Sequence, residues 1–389
     1  MRQDQGSGCV RRIGIVALFL TAVSAVGTLG CQWERADDSI LIGHLAPRTG
    51  SSAEEGQALL AVAALTVEAW NQEEPGVFNG RLVSVIHADT ASQLDPFVYQ
   101  ATRLIALNQV SALVGGVRGA EASRLHQALM ARESAPVAVT PAGLENSSRQ
   151  GRLWCLGISP SERGKWLATF LTEHAGLNSI LVITDTSEPG TLDAHQAFLR
   201  EFRHPKRQIV AEILTTKHEK LDPISVALRE SLAQAVIFVG DRTMLDRVLK
   251  IPRRIEMKFV YAGDDEESMW RQPPEAPVLF ASALPGERPS PSLDKLATDL
   301  RQRCQQELTP ASLLTYESLR VLLIAAKRAR SFRRDLLVRE LEKIDIDLPS
   351  GRLWLEPKGN ARRPVSIYQI ENGRPRWIKT YSPAKDEKS

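Results

Sequence analysis

From residue 39 to residue 143, short apolar runs alternate with longer segments whose apolar residues recur every three or four positions. In order they read SILIGHLAPRTGSS, EEGQALLAVAALTVEAWNQ, GRLVSVIHADTAS, DPFVYQATRLIALNQ, SALVGGVRGAEAS and APVAVTPAG. The short runs are β-branched and strand-like, and the long ones gather apolar side chains on one helical face. Such alternation predicts a parallel sheet covered on both faces, with the loops at the strand carboxyl ends turned toward a ligand. After LWCLGIS (153–159) the pattern restarts. Helices are predicted over 162–174, 191–202, 223–232 and 243–249, interleaved with strands over 179–184, 208–214, 235–240 and 259–262. A Pro-rich stretch, 273–289, carries one more strand-like run, VLFASAL. Helices resume over 293–307, 311–329 and 335–343, and the remaining chain, with Gly/Asn turn signals between alternating runs, reads as antiparallel strands.

The element order and the loop residues resemble the amino-acid-binding proteins of the type I periplasmic-binding-protein family, the solute receptors of ABC importers, among them those for leucine, isoleucine and valine. The resemblance runs from Ile40 to Tyr381. It implies an α/β fold of two Rossmann-like lobes joined by a three-segment hinge, with crossings near Cys155–Ser159, Ala283–Gly286 and Asp345–Leu348. The implied division is 1–38 signal and linker, 39–156 first lobe, 157–284 second lobe, 285–344 first lobe again, 345–381 second lobe again, and 382–389 tail.

Composition adds limits. A chain of 389 residues is long enough for two lobes with their own cores, and 43% hydrophobic with 24% charged residues is that of a soluble globular protein. A net charge of +3 with both signs interspersed gives no electrostatic case for nucleic acid. The pairs Arg253–Arg254, Arg333–Arg334 and Arg362–Arg363 read as solvated surface. At the N-terminus, Arg11 and Arg12 precede the apolar run Ile13–Val26, which suits a signal peptide and is short for a membrane span. The following Gly27-Thr28-Leu29-Gly30-Cys31 resembles the lipobox of bacterial lipoproteins, which implies an exported protein lipid-anchored through Cys31. The alternative is a plain secretory signal with Cys31 incidental. Export would remove Cys9, leaving Cys155 and Cys304 as two unpaired buried thiols in different elements.

The resemblance also implies a site between the lobes. A free amino acid needs donors for its carboxylate, which helix N-termini supply, and a carboxylate for its ammonium. Arg118, Gly119 and Ala120 stand where the family has a serine-containing loop that holds the carboxylate. Here Arg118 either offers a bidentate, charge-assisted contact, or it points outward or pairs with Glu121. Thr140-Pro141-Ala142-Gly143-Leu144 resembles the family's Ser/Thr-Pro-Ala-Ala-Thr, with Ala142, Gly143 and Leu144 as ligand neighbours and Leu144 replacing a threonine. Pro189 and Gly190 occupy the position of a Tyr-Gly loop, and Asp241 follows a second-lobe strand. Asp265, with Asp264 one residue away, aligns with the acid that binds the ammonium, although Asp264–Glu267 as an acidic run also reads as solvated surface. Pro47-Arg48-Thr49-Gly50 resembles the family's Pro-x-Thr-Gly, a turn and cap.

Catalytic signatures are missing. There is no Gly-x-Ser-x-Gly elbow, no Walker loop and no His-Glu-x-x-His, and Gly115–Ala120 lacks two glycines of a dinucleotide fingerprint. The seven histidines lack metal-ligand spacing; His44 and His126 read as packed or solvated. The expectation is therefore an exported, non-enzymatic receptor with no cofactor or metal. It would bind an amino acid or similar small carboxylate, dock on the membrane permease of an ABC transporter and bind no nucleic acid. The alternative is a ligand-sensing or degenerate receptor that signals to a membrane kinase.

Overall fold

Two mainly parallel sheets carry the architecture. The computed structural model describes residues 39–145, 151–188, 190–216, 218–253, 257–286, 290–357 and 359–383. The predicted signal segment and Cys31 lie outside the described residues, as does Arg254.

The first sheet comprises β1 (Ile40–Ala46), β2 (Val83–Asp89), β3 (Ala112–Gly115), β4 (Val137–Thr140) and β5 (Leu153–Cys155), in the order β2-β1-β3-β4-β5, all parallel. Strands β3, β4 and β5 are buried at every position, which is why they appear in the sequence as unbroken apolar runs rather than alternating ones. Helices α1 (Ala53–Glu73), α2 (Leu94–Ala106) and α3 (Gly119–Met130) connect them.

Segment 156–159 leads into α4 (Pro160–Glu173), β6 (Ser179–Asp185), α5 (Thr191–Phe202), β7 (Gln208–Thr215), α6 (Asp222–Glu230), β8 (Ala235–Val239), α7 (Arg242–Leu249), β9 (Lys258–Tyr261), α8 (Glu266–Arg271) and β10 (Val278–Ser282). The chain then runs through α9 (Pro291–Cys304), α10 (Pro310–Ala329) and α11 (Arg334–Leu341). Of these, α9 and α10 pack on α1, and α10 also meets β3 and β4. A small antiparallel sheet of β11 (Asp345–Leu348), β12 (Gly351–Leu355) and β13 (Ala361–Arg362) leads to the hairpin of β14 (Val365–Glu371) and β15 (Arg374–Tyr381). That hairpin completes the second sheet, β15-β14-β10-β9-β8-β6-β7, in which β14 pairs antiparallel with β10 and with β15 and the other pairings are parallel.

Both parallel sets thus share one strand order, with the reversal between β1 and β3 and between β6 and β8. Ligands of doubly wound sheets sit outside the strand carboxyl ends at such reversals. One apolar cluster runs from Ile42, Val114 and Val139 through Leu156, Ile158 and Leu314 to Val182, Ile237 and Ile367, so the connection between the lobes is itself buried.

Several boundaries differ from the sequence reading for a shared reason. Ser159, Ser290 and Thr309 cap their helices with the side chain, and Pro160, Pro291 and Pro310 take the first turn. A proline there loses no helical hydrogen bond, so each helix begins one or two residues earlier than periodicity alone suggests. Gln305 adopts a left-handed conformation (φ 55°) and ends α9 at Cys304. A short helix, α8, begins within the acidic run, where the sequence pattern predicts none. Arg363 is fully buried rather than solvated, and Arg362 pairs with Glu162 and Glu356. Cys155 and Cys304 are not disulfide-linked; the first is buried and the second only half-buried.

Packing between α4 and α5 depends on Gly164, where a Cβ would lie 2.1 Å from the carbonyl oxygen of Ala194. Gly164→Ala is expected to destabilise the protein by about 1–3 kcal/mol in urea unfolding. An unchanged midpoint would contradict that close approach.

Candidate functional site

Strand β3 delivers its loop to the carboxyl edge of the first sheet through Gly115 (φ 140°) and Gly116 (φ 80°), conformations that favour glycine. The carbonyl of Gly116 accepts hydrogen bonds from the Thr140 hydroxyl and the Ala142 amide, tying this loop to the next. Gly143 is required for a different contact: a Cβ there would fall 1.9 Å from the carbonyl oxygen of Ile158. The loop 141–143 therefore lies backbone to backbone on the segment that crosses to the second lobe.

Across the crevice, β9 ends and α8 begins. The Asp264 carboxylate accepts the Gly119 amide at 2.9 Å, so a second-lobe acid occupies the N-terminus of α3. Arg118 donates to Glu55 of α1 at 2.9 Å and lies 3.6 Å from Asp265, whose side chain caps α8 by accepting the Ser268 amide. Glu121 accepts the Val117 and Arg118 amides (2.8 and 3.3 Å). Arg118 thus neither turns outward nor directs its guanidinium at Glu121. Glu267 accepts the Ala311 amide at the start of α10 (3.0 Å) and Arg271 Nε (2.6 Å), and Arg271 reaches Glu54 of α1 (3.3 Å). Glu266 accepts the Ala283 amide at 3.0 Å. The acidic run is consequently not a solvated face: Glu266 and Glu267 are 7% and 6% exposed.

Burial raises the carboxyl pKa of Glu55, Glu121, Glu266 and Glu267, with nearby arginines opposing the shift at each. Burial alone would lower Arg118, but Glu55, Asp265 and Glu121 outweigh it and push it upward. Burial likewise raises Tyr261 well above its ordinary value, reinforced by the charges of Asp265 and Asp264.

Arg118, Gly119, Ala142, Gly143, Asp264 and Asp265 line one cavity of about 20 Å³, room for a water molecule rather than a solute. The other anticipated residues lie elsewhere. Ala120 is half-buried on α3, and Leu144 packs against the apolar core behind β4, where a side chain of that size finds cover. Gly190 starts α5 with a φ of 77°, and Asp241 caps α7 by accepting the Met244 amide at 2.6 Å. Pro189 lies outside the described residues. Sequence reasoning missed Glu55, Arg163, Glu266 and Glu267, all of which line the cavity. The acidic run was visible, but its burial comes from α10 and was not. Among the described residues no group of three or more His, Cys, Asp or Glu is placed to hold a metal ion, and no helix is long and apolar enough to cross a membrane.

The Asp264–Gly119 bond joins the lobes. Asp264→Ala is expected to weaken the closed form by about 1.5–3 kcal/mol, the usual range for a hydrogen bond to a charged group. Small-angle scattering of the ligand-free protein would then show a larger radius of gyration. Identical profiles for wild type and variant would mean that the bond does not hold the lobes together.

A doubly wound pair of lobes that share a polar crevice defines a binding protein built to close on a solute. The chain belongs to the periplasmic binding protein family, which matches residues 39–375. Membership makes it a binding protein rather than an enzyme and implies an extracytoplasmic location. It is 25% identical over 235 residues to an amino acid binding protein of Pseudomonas aeruginosa, a match spanning 59% of each chain. Its fold is similar to that of the branched-chain amino acid transporter substrate binding protein LivJ from Streptococcus pneumoniae, in complex with isoleucine. That likeness has a TM-score of 0.74 at 18% identity over 88% of this chain and 99% of that one. It is also similar to a solute binding protein of an ABC transporter from Rhodopseudomonas palustris BisB5, in complex with 3,4-dihydroxybenzoic acid (TM-score 0.70, 18% identity, 90% and 99%).

Proposed function

We propose that the protein is the solute receptor of an ABC importer, taking an amino acid or similar small carboxylate between its lobes and presenting the closed form to a membrane permease. The observation that carries this reading is the meeting of Arg118 and Gly119 with Asp264 and Asp265, charged and donor groups from opposite lobes, within one crevice. Ligand contacts from both sides would favour the closed form over the open one, a population shift between hinge states. Its relatives in solved structures hold isoleucine and 3,4-dihydroxybenzoic acid, two small carboxylates of different shape. Lobe boundaries after residues 156, 284 and 344, and a lipid anchor at Cys31, complete the reading. A branched-chain ligand is its narrowest form.

The test is a thermal-shift screen with amino acids and small aromatic carboxylates, since a ligand bound only by the native state raises its apparent stability by about 2.7 kcal/mol at a hundred times Kd. A flat response at millimolar concentration would reject an importer receptor for these solutes. One observation favours a second reading, a sensory or degenerate receptor: Asp264 already fills the helix terminus that a ligand carboxylate would use.

A further inference from the structure

We propose that the cleft takes its ligand in the reverse sense to the one the family resemblance implies, with a ligand carboxylate on Arg163 of the second lobe and a ligand cationic group on Glu55 of the first. This rests on the reading above that the cleft binds a small carboxylate, and it adds which end goes where.

The first-lobe donors are already engaged. The amides of Val117 and Arg118 go to Glu121, the amide of Gly119 goes to Asp264, and the Arg118 guanidinium is held by Glu55 and Asp265. The second-lobe acids that would receive an ammonium are engaged by the same contacts. Two groups on the cavity wall remain. Arg163 is 4% exposed and makes no side-chain hydrogen bond or ion pair among the described residues; its Nε is wholly buried and lacks a partner. Glu55 is also 4% exposed, and its Oε1 is buried without a partner although Oε2 holds Arg118.

A buried guanidinium with no hydrogen bond is costly to keep, and so is a half-satisfied carboxylate. A ligand bearing opposite charges at its two ends would satisfy both. Arg163 sits in the first turn of α4, whose start is fixed by the Ser159 cap and Pro160. The planar fork of arginine suits a carboxylate bidentately, and the positive end of the α4 dipole acts in the same direction. On the other wall, burial and then the Glu267 and Asp265 charges raise the Glu55 pKa while Arg118 on Oε2 opposes them, and a cation on the unpartnered Oε1 would oppose them further. The cavity of about 20 Å³ admits no solute, so a ligand touching both walls holds the lobes further apart than they stand here.

The experiment is calorimetric titration of the purified protein with the proteinogenic amino acids, benzoate and 4-hydroxybenzoate. Each ligand found is then compared with its carboxamide and, for an amino acid, with its deaminated analogue. Arg163→Gln is expected to weaken the carboxylate ligand by about 30-fold or more and to bind it no better than the carboxamide. Arg163→Lys keeps the charge and should retain that discrimination at reduced affinity, which preserves the test if the glutamine variant does not fold. Glu55→Gln should bind an amino acid no better than its deaminated analogue; for a ligand without an amine, the Arg163 variants decide. Unchanged binding by the Arg163 variants, with the carboxylate preferred over its carboxamide as in the wild type, overturns the reversed orientation while leaving the receptor function intact. No titration with any probe overturns both.

Discussion

Arg363→Met is expected to destabilise the protein by about 3–5 kcal/mol, the range for removing one partner of a buried ion pair. Arg363 and Glu317 are both fully buried, with 3.0 Å between Nη2 and Oε2. Arg363 Nη1 donates to the Leu156 carbonyl at 3.0 Å, and Glu317 Oε1 accepts the Ser350 amide at 3.0 Å. These few bonds join α10, the first crossing segment, the β11–β12 turn and the chain entering β14. The carboxylate of Glu317 would otherwise sit fully buried with no counter-charge. A double variant, Glu317→Leu with Arg363→Met, should recover most of the loss, because apolar residues of similar size replace buried pairs at little net cost. Urea unfolding of wild type, both single variants and the double variant measures the coupling directly. If the double variant is as unstable as the sum of the singles, the pair is not the source of the effect.

The alternation of strands and helices was legible because the central strands, β3, β4, β5, β8 and β10, are buried on both faces and therefore have continuous apolar sequences. Helix starts at Pro160, Pro291 and Pro310 were displaced because a cap and a first-turn proline carry no apolar periodicity. Arg363 was misread for a reason of distance. Its partner is 46 positions away, and the carbonyl it binds is 207 positions away. Nothing in the local Arg-Arg-Pro sequence distinguishes it from surface.

The candidate site divides in the same way. Arg118, Gly119 and Asp264–Asp265 were found because each follows a strand, where ligand loops belong. Asp241 also follows a strand, yet the nearest orphan amide, that of Met244, claims its side chain. The acidic run looked solvated because the helix N-terminus that receives Glu267 belongs to α10, 44 positions on. Arg163 gave no signal, since one arginine in an amphipathic helix is ordinary until the space around it is known.

Acidification is expected to remove up to about 4–5 kcal/mol of stability through one residue, His44. It stands opposite His87 in the β1–β2 register, with 2.9 Å between the two Nδ1 atoms, and is fully buried. Burial, and then the neighbouring His87, pushes the His44 pKa down to about 3, while burial and Arg48 lower His87 as well. The sign follows from proton counting. In the unfolded chain His44 takes a proton near its ordinary value of about 6.5; in the native state it does not. Its stabilising contribution is therefore complete above that value and is lost progressively as pH falls from about 6.5 toward 3. Between pH 6.5 and 4.5 the loss is about 2–3 kcal/mol, at 1.36 kcal/mol per pH unit. The buried carboxyls Glu55, Glu121, Glu266 and Glu267 act oppositely, because their raised values let the native state bind protons first as pH falls. Their contribution is common to wild type and to His44→Leu, so the difference between the two isolates the histidine. Urea unfolding at pH 7.0 and 4.5 should show a shallower loss in His44→Leu by that amount. Equal losses in both proteins would place a protonated His44 in the native state, in conflict with a ring that has no access to water.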